Sequence, residues 1–305
     1  MNKLSSTLNT LVVLTVSSLT WITPTLASEV LSTNPNVIAP TGPIELHVPP
    51  PENGDPADSP PANSPHSCSA QLEAGIDRIV NNAPKQWGIL VESIDHRTVY
   101  YSHNSDRYFI PASNTKLFTT ATALQTLSPE SQIKSSSLRS WVTIINQRSN
   151  NAYADSLFKY IGGRKTAQSV LGGMGINPNG FRLADGSGLS RRNIATPRAL
   201  VELLRAMYYA PTRDVFYASL PIAGISGTLK NRMRNTQAEG IVMAKTGTLW
   251  GVRALSGYVN HPQYGLLVFS IIANAPTESG QRLVNTIDAI VLQLTRSTSC
   301  QEQIN

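Results

Sequence analysis

The chain predicts an α/β fold: an antiparallel sheet shared by the N- and C-terminal segments, helices on its faces, and an all-helical lobe inserted between them. Three observations predict it. Strand-like runs occur at both ends of the folded region, at 88–91 and 98–101 and again at 241–246, 252–259 and 266–273. Helical patterning fills most of 138–210 between them, and amphipathic helices open and close the region. In a doubly wound parallel sheet, strands and helices would alternate throughout, and here they do not.

Taken in order, Leu72, Ile76, Ile79 and Val80 recur at helical spacing, and Pro84 ends the run. The first two strands are separated by Asp95-His96-Arg97, a hairpin turn region. After Pro111, residues 113–127 form a helix with an apolar face at Leu117, Ala121 and Leu124, which puts Ser113 at its N-terminal end. Glycine-rich turns at Gly162-Gly163, Gly172-Gly173 and 185–188 divide the helical lobe. Thr196-Pro197 pairs an N-cap with a proline at the first helical position. Leu283, Val284, Ile287, Ile290, Val291 and Leu294 mark a closing helix over 278–294.

Residues 1–27 read as a signal peptide, with Lys3, an apolar run from Leu11 to Ile22 and a small-residue cleavage site at Thr25-Leu26-Ala27; retained, the same segment would serve as an anchor. Residues 28–66 hold ten of the chain's twenty prolines and no apolar periodicity, the composition of a disordered linker. Residues 67–305 are long enough for a buried core and form the functional domain. Cys68 and Cys300 stand at its two ends. Export would let them form a disulfide worth at most roughly 5 kcal/mol in the loop-entropy model; otherwise both thiols stay free. The formal charge of +6 suits an anionic wall or lipid surface, but most of the 25 Lys and Arg are scattered along the chain, and nothing resembles a nucleic-acid module.

Three short motifs carry the chemistry: Ser113-Asn114-Thr115-Lys116, Ser149-Asn150-Asn151 and Lys245-Thr246-Gly247. Each alone has an ordinary reading: a solvated lysine at a helix start, a helix N-cap, a strand ending in a bulge. Together and in this order they nominate Ser113 as a nucleophile. None of the five histidines lies beside them, so the base is not imidazole. Lys116, one helical turn on, can take the proton if burial and nearby cations depress its pKa. An extended backbone would let Ser149 and Asn151 face one cleft, Ser149 as a proton relay between Lys116 and Lys245, Asn151 holding a substrate peptide group. Strand alternation puts Lys245 and Gly247 on one face; a peptide along this edge would offer its carboxylate to Lys245, Thr246 and Thr248. Gly162-Gly163-Arg164-Lys165-Thr166 lacks the spacing of a phosphate loop and is a helix-to-helix turn.

With these motifs the chain resembles the D-alanyl-D-alanine carboxypeptidase/endopeptidase family of low-molecular-mass class C penicillin-binding proteins. Asp185-Gly186-Ser187-Gly188-Leu189-Ser190 with Asn193, the run from Ala223 to Arg232, and Ala244 to Thr248 leading to Gly251 extend the match. The resemblance implies a serine β-lactamase/transpeptidase-like fold, Ser113 as the acylated nucleophile, Lys116 as base, Ser149 and Asn151 as second motif, Lys245, Thr246 and Gly247 as third, and the N–H groups of Ser113 and Thr248 as oxyanion hole. Asp185 stays outside the catalytic set, because its glycine-rich turn reads as structural. Only 36 positions separate Ser113 from Ser149, so the domains usually inserted there are lacking.

The expected activity is a serine-type DD-peptidase acting on the D-Ala-D-Ala bond of peptidoglycan stem peptides, and on D-Ala-diaminopimelate crosslinks in an endopeptidase variant, with β-lactam antibiotics as inhibitors. It needs no cofactor and no metal, implies no stable protein partner, and belongs in the periplasm or cell wall. The alternatives are a β-lactamase, for which none of the glutamates stands in an evident deacylation motif, and a non-catalytic penicillin-binding or wall-binding protein.

Overall fold

The computed structural model describes residues 65–81 and 83–295. The signal peptide, nearly all of the linker and Cys300 lie outside them, and with them the proposed Cys68–Cys300 pairing.

The chain enters through helix α1 (Pro65–Val80), two residues before the expected domain boundary, and reaches strands β1 (Trp87–Ser93) and β2 (Val99–His103). Helix α2 (Thr115–Thr126) follows a 3-10 turn, Ala112–Asn114, and a small hairpin of β3 (Gln132–Ile133) and β4 (Ser136–Ser137) leads to α3 (Leu138–Gln147), α4 (Asn151–Tyr160) and α5 (Gly163–Gly173). A second small pair, β5 (Phe181–Arg182) and β6 (Ile194–Ala195), brackets the glycine-rich loop; α6 (Pro197–Tyr209) and α7 (Arg213–Ala218) complete the lobe. The chain returns as β7 (Val242–Leu249), β8 (Val252–His261), β9 (Gly265–Asn274) and α8 (Gly280–Thr295). The small strand pairs and α7 were not anticipated.

The main sheet runs β2-β1-β9-β8-β7, every pair antiparallel, so strands from the two ends of the chain share it as expected. The period-two alternation of a sheet buried on both faces sorts its side chains. Leu267, Phe269, Ile271 and Ala273 of β9, with Leu255 and Val259 of β8, pack with α1 and α8; Val268, Ile272, Ala254 and Tyr258 face the helical lobe. Thr196 caps α6 as its sequence predicts, accepting from Ala199 N. Helix α2 lies at the centre of the lobe with ten buried residues, and its buried threonines are satisfied locally: Thr120 and Thr122 donate to the carbonyls of Lys116 and Phe118, and Thr119 to that of Gly186, each at 2.8 Å. Among the described residues no helix is long and apolar enough to cross a membrane.

Candidate active site

Ala112, just before Ser113, adopts a left-handed φ of 48°. For a non-glycine residue this conformation costs on the order of 1–3 kcal/mol and persists only where its surroundings enforce it. Two glycines do so. Gly188, at φ +86°, approaches so closely that a Cβ there would lie 1.9 Å from the Ala112 carbonyl oxygen; one on Gly247 of β7 would lie 2.7 Å from that of Pro111. The first and third motifs are thereby packed backbone to backbone. Asn114 anchors the same turn from below, donating to Ser256 Oγ at 2.7 Å, which donates to Ser270 Oγ at 2.9 Å.

The turn leaves Ser113 half-buried and carries Lys116 wholly into the interior. Lys116 Nζ has three partners: Ser113 Oγ at 3.0 Å, Asn151 Oδ1 at 2.7 Å and the Ser187 carbonyl at 2.5 Å. Burial pushes its pKa down from 10.5 to about 8, against the opposing pull of the Asp155 and Asp185 carboxylates. The partner set suits either protonation state: an ammonium donates to all three oxygens, and a free amine is accommodated as well. Asn151 Oδ1 and the Ser187 carbonyl can only accept, so they take two N–H bonds; a neutral amine then has its lone pair left for the one partner able to donate, the Ser113 hydroxyl.

Ser187 is held in place by two aspartates. Asp155 Oδ1 accepts from the Gly186 and Ser187 N–H groups at 3.0 and 2.8 Å. Asp185 accepts from Gly188 N at 2.6 Å, Ser190 N at 2.7 Å and Asn193 Nδ2 at 2.9 Å, which is the structural turn role expected of it.

The second motif converges on the site by a different route from the one expected. Its backbone is not extended: Ser149 is left-handed at φ 53°, and Asn150 takes the N-cap, its side chain accepting from Tyr153 N at 3.0 Å. With the middle residue capping α4, the left-handed turn directs Ser149 to Lys245 and Asn151 to Lys116. Lys245 is fully buried; its Nζ donates to Ser149 Oγ at 2.8 Å and to the Thr246 carbonyl at 3.0 Å. Burial first, and then the charge of Lys116, hold its pKa well below the usual lysine range. Ser149 thus contacts one of the two lysines between which it was expected to relay protons.

Strand β7 is the sheet edge. The Val242 carbonyl and Ala244 N–H bond outward, to Ala223 N and the Pro221 carbonyl, each at 2.9 Å. Because backbone groups alternate along a strand, Thr246 and Thr248 also direct their N–H groups outward. Beyond Ala244 this edge borders the site, with Thr248 exposed and Thr246 Oγ1 donating to Thr228 Oγ1 at 2.7 Å. Ser113, Lys116, Ser149, Asn151, Lys245, Thr246, Gly247 and Thr248 are therefore brought to one place. Among the described residues no group of His, Cys, Asp or Glu is arranged to hold a metal.

Comparison with known proteins bears on the family and the fold. The profile of the D-Ala-D-Ala carboxypeptidase 3 (S13) family matches residues 72–136 and 131–297. The chain belongs to this family. Its two matched segments meet at the β3–β4 hairpin, between the first and second motifs. A D-alanyl-D-alanine carboxypeptidase from Actinomadura sp. is 44% identical over 162 residues, covering 48% of this chain and 30% of that protein. The matched part spans under a third of the length of this and another curated relative, a penicillin-sensitive carboxypeptidase A from Dictyostelium discoideum. Among solved structures, penicillin binding protein 4 from Haemophilus influenzae superposes with a TM-score of 0.62 at 14% identity, over 72% of this chain and 99% of that one. A class A β-lactamase from Bacteroides cellulosilyticus gives 0.60 at 18% identity, over 75% and 98%. These structures share the serine β-lactamase/transpeptidase fold read from the sequence.

Several residues of the candidate site escaped the sequence reading. Asp155 had no motif to mark it; Thr228 and Ser187 lay in stretches that extend the family match but were given no role there, and Ser187 acts through its backbone. Ser270 did leave a signal, as a polar residue in the middle of the apolar run Leu266 to Ala273, whereas its partner Ser256 lies in a strand with other polar residues.

Proposed function

We propose that the protein is a wall-facing serine DD-peptidase that cleaves the D-Ala-D-Ala bond of peptidoglycan stem peptides through an acyl-enzyme on Ser113. The observation that carries this reading is the partner set of Lys116, two obligate acceptors and one serine hydroxyl. Ser113 gives its proton to the Lys116 lone pair and attacks the carbonyl of the penultimate D-alanine. The oxyanion is received by the N–H groups of Ser113 and Thr248, and the free β7 edge aligns the peptide. Lys116 then gives the proton to the departing amine, with Ser149, held by Lys245, beside it, and terminal D-alanine leaves. The terminal carboxylate meets Thr246, Thr248 and Thr228, with Lys245 Nζ beneath them. Water then hydrolyses the ester. Penicillin enters the same path, because its ring amide and carboxylate present the same groups. The expected signal peptide and proline-rich arm would bring the domain to this substrate.

Incubating the full chain with a pentapeptide muropeptide and measuring free D-alanine tests the reading. The wild type should release it, and Ser113→Ala should reduce release at least a thousandfold; equal release by both proteins would refute it.

A further inference from the structure

Among the described residues, cavities away from the catalytic groups include two of several hundred Å³. One, of about 430 Å³, is lined by Arg97, Arg198 and Arg205 but also by Glu92 and Glu202, and Arg205 is paired with Glu92. It carries its own counter-charges. The other, of about 560 Å³, is different: Arg164, Arg182 and Arg192 surround a partly apolar lining of Phe158, Leu183 and Ala184, and no carboxylate is among these residues. Among the described residues none of the three arginines makes an ion pair. The nearest acids in sequence, Asp155 and Asp185, have their carboxylates turned to the backbone of 186–190. The first turn of α5, which bears Arg164, has no acidic residue. Scattered along the sequence, these three charges are gathered by the fold.

Their place relative to the site is specific. Arg182 ends β5, and Arg192 stands two residues before β6, so they mark the two feet of the loop whose tip carries the Ser187 carbonyl to Lys116. Arg191, next to Arg192, is instead bonded to the Trp250 carbonyl. Three uncompensated guanidinium groups around one pocket are a receptor for anions, and guanidinium matches planar carboxylates in bidentate fashion. A polymer seated in the catalytic cleft has further stem peptides on either side of the one being cut, and these carry free carboxylates. We propose that the Arg164–Arg182–Arg192 pocket is a peptidoglycan exosite that binds the carboxylates of stem peptides neighbouring the scissile one. This rests on the DD-peptidase reading for its substrate, but its binding test does not need turnover.

The test compares full-length protein with a triple variant, Arg164→Gln, Arg182→Gln and Arg192→Gln, both also carrying Ser113→Ala, in co-sedimentation with isolated sacculi. The triple variant should bind at least tenfold more weakly at low salt, and the difference should shrink as salt rises. Amidating the sacculus carboxylates should reproduce the loss in the protein that retains its arginines, while removing phosphodiester-linked polymers should leave its binding unchanged. With Ser113 restored, acylation by benzylpenicillin and D-alanine release from a short N-acylated peptide should stay within twofold of wild type. Undiminished binding by the triple variant would overturn the proposal, as would binding abolished by phosphodiester removal and spared by amidation, or equal impairment of penicillin acylation. Failure of the peptidase reading would show separately, as a wild type that releases no D-alanine from the short peptide.

Discussion

At Lys116 the chemistry depends on which protonation state the protein favours. Burial draws its pKa down to about 8, and the nearby aspartates pull the other way. If the neutral amine is the base, acylation by benzylpenicillin falls as pH drops below about 8, with the acid limb centred there, and stopped-flow rates between pH 6 and 9 should trace it. Asp155→Asn keeps an oxygen able to accept from Gly186 and Ser187 but removes a negative charge that favours the ammonium. Its acid limb should therefore move to lower pH; an unchanged or raised midpoint would show that Lys116 is not the titrating base. The sequence displayed Ser113, Lys116, Asn151 and Lys245 because each is a motif residue with a reactive or amide side chain. It could not display the Ser187 carbonyl, since every residue has one and only the fold selects which is used.

Among the elements, the 3-10 turn before α2 and the loop between β5 and β6 are interlocked through Ala112 and Gly188. Gly188→Ala would place a methyl group against a carbonyl oxygen at a left-handed φ, so neither rotation nor side-chain adjustment relieves it. The expected outcome is a loss of about 2–4 kcal/mol in urea unfolding and a penicillin acylation rate at least a hundredfold lower; normal values of both would show that the turn tolerates displacement. The long helices and the strands of the sheet were legible because burial imposes a period of 3.6 or 2 on the chain. The two-residue pairs β3–β4 and β5–β6 and the six-residue α7 are too short to carry a period. The strained turns escaped for another reason: alanine at 112 and serine at 149 do not signal a left-handed backbone, which tertiary packing enforces on them.

Across the whole molecule, a sheet shared by both chain ends and a helical lobe inserted between them present one cleft, and the sequence order of strands and helices was enough to foresee this. The cationic pocket was not foreseeable, because its arginines come from positions 164, 182 and 192 and only the fold assembles them. Among the described residues no glutamate hydrogen-bonds Ser113, Lys116 or Ser149; Asp185 and Oδ1 of Asp155 accept from the backbone of 186–190. Nitrocefin should accordingly give a burst of about one equivalent followed by slow turnover; rapid multiple turnover would favour a β-lactamase. The central claim is that Ser113 is the nucleophile activated by Lys116. Peptide-level mass spectrometry after exposure to benzylpenicillin tests it most directly. A single penicilloyl adduct on Ser113, absent from Ser113→Ala and strongly reduced in Lys116→Ala, is the result expected; an adduct on another residue, or one that persists in Ser113→Ala, would contradict it.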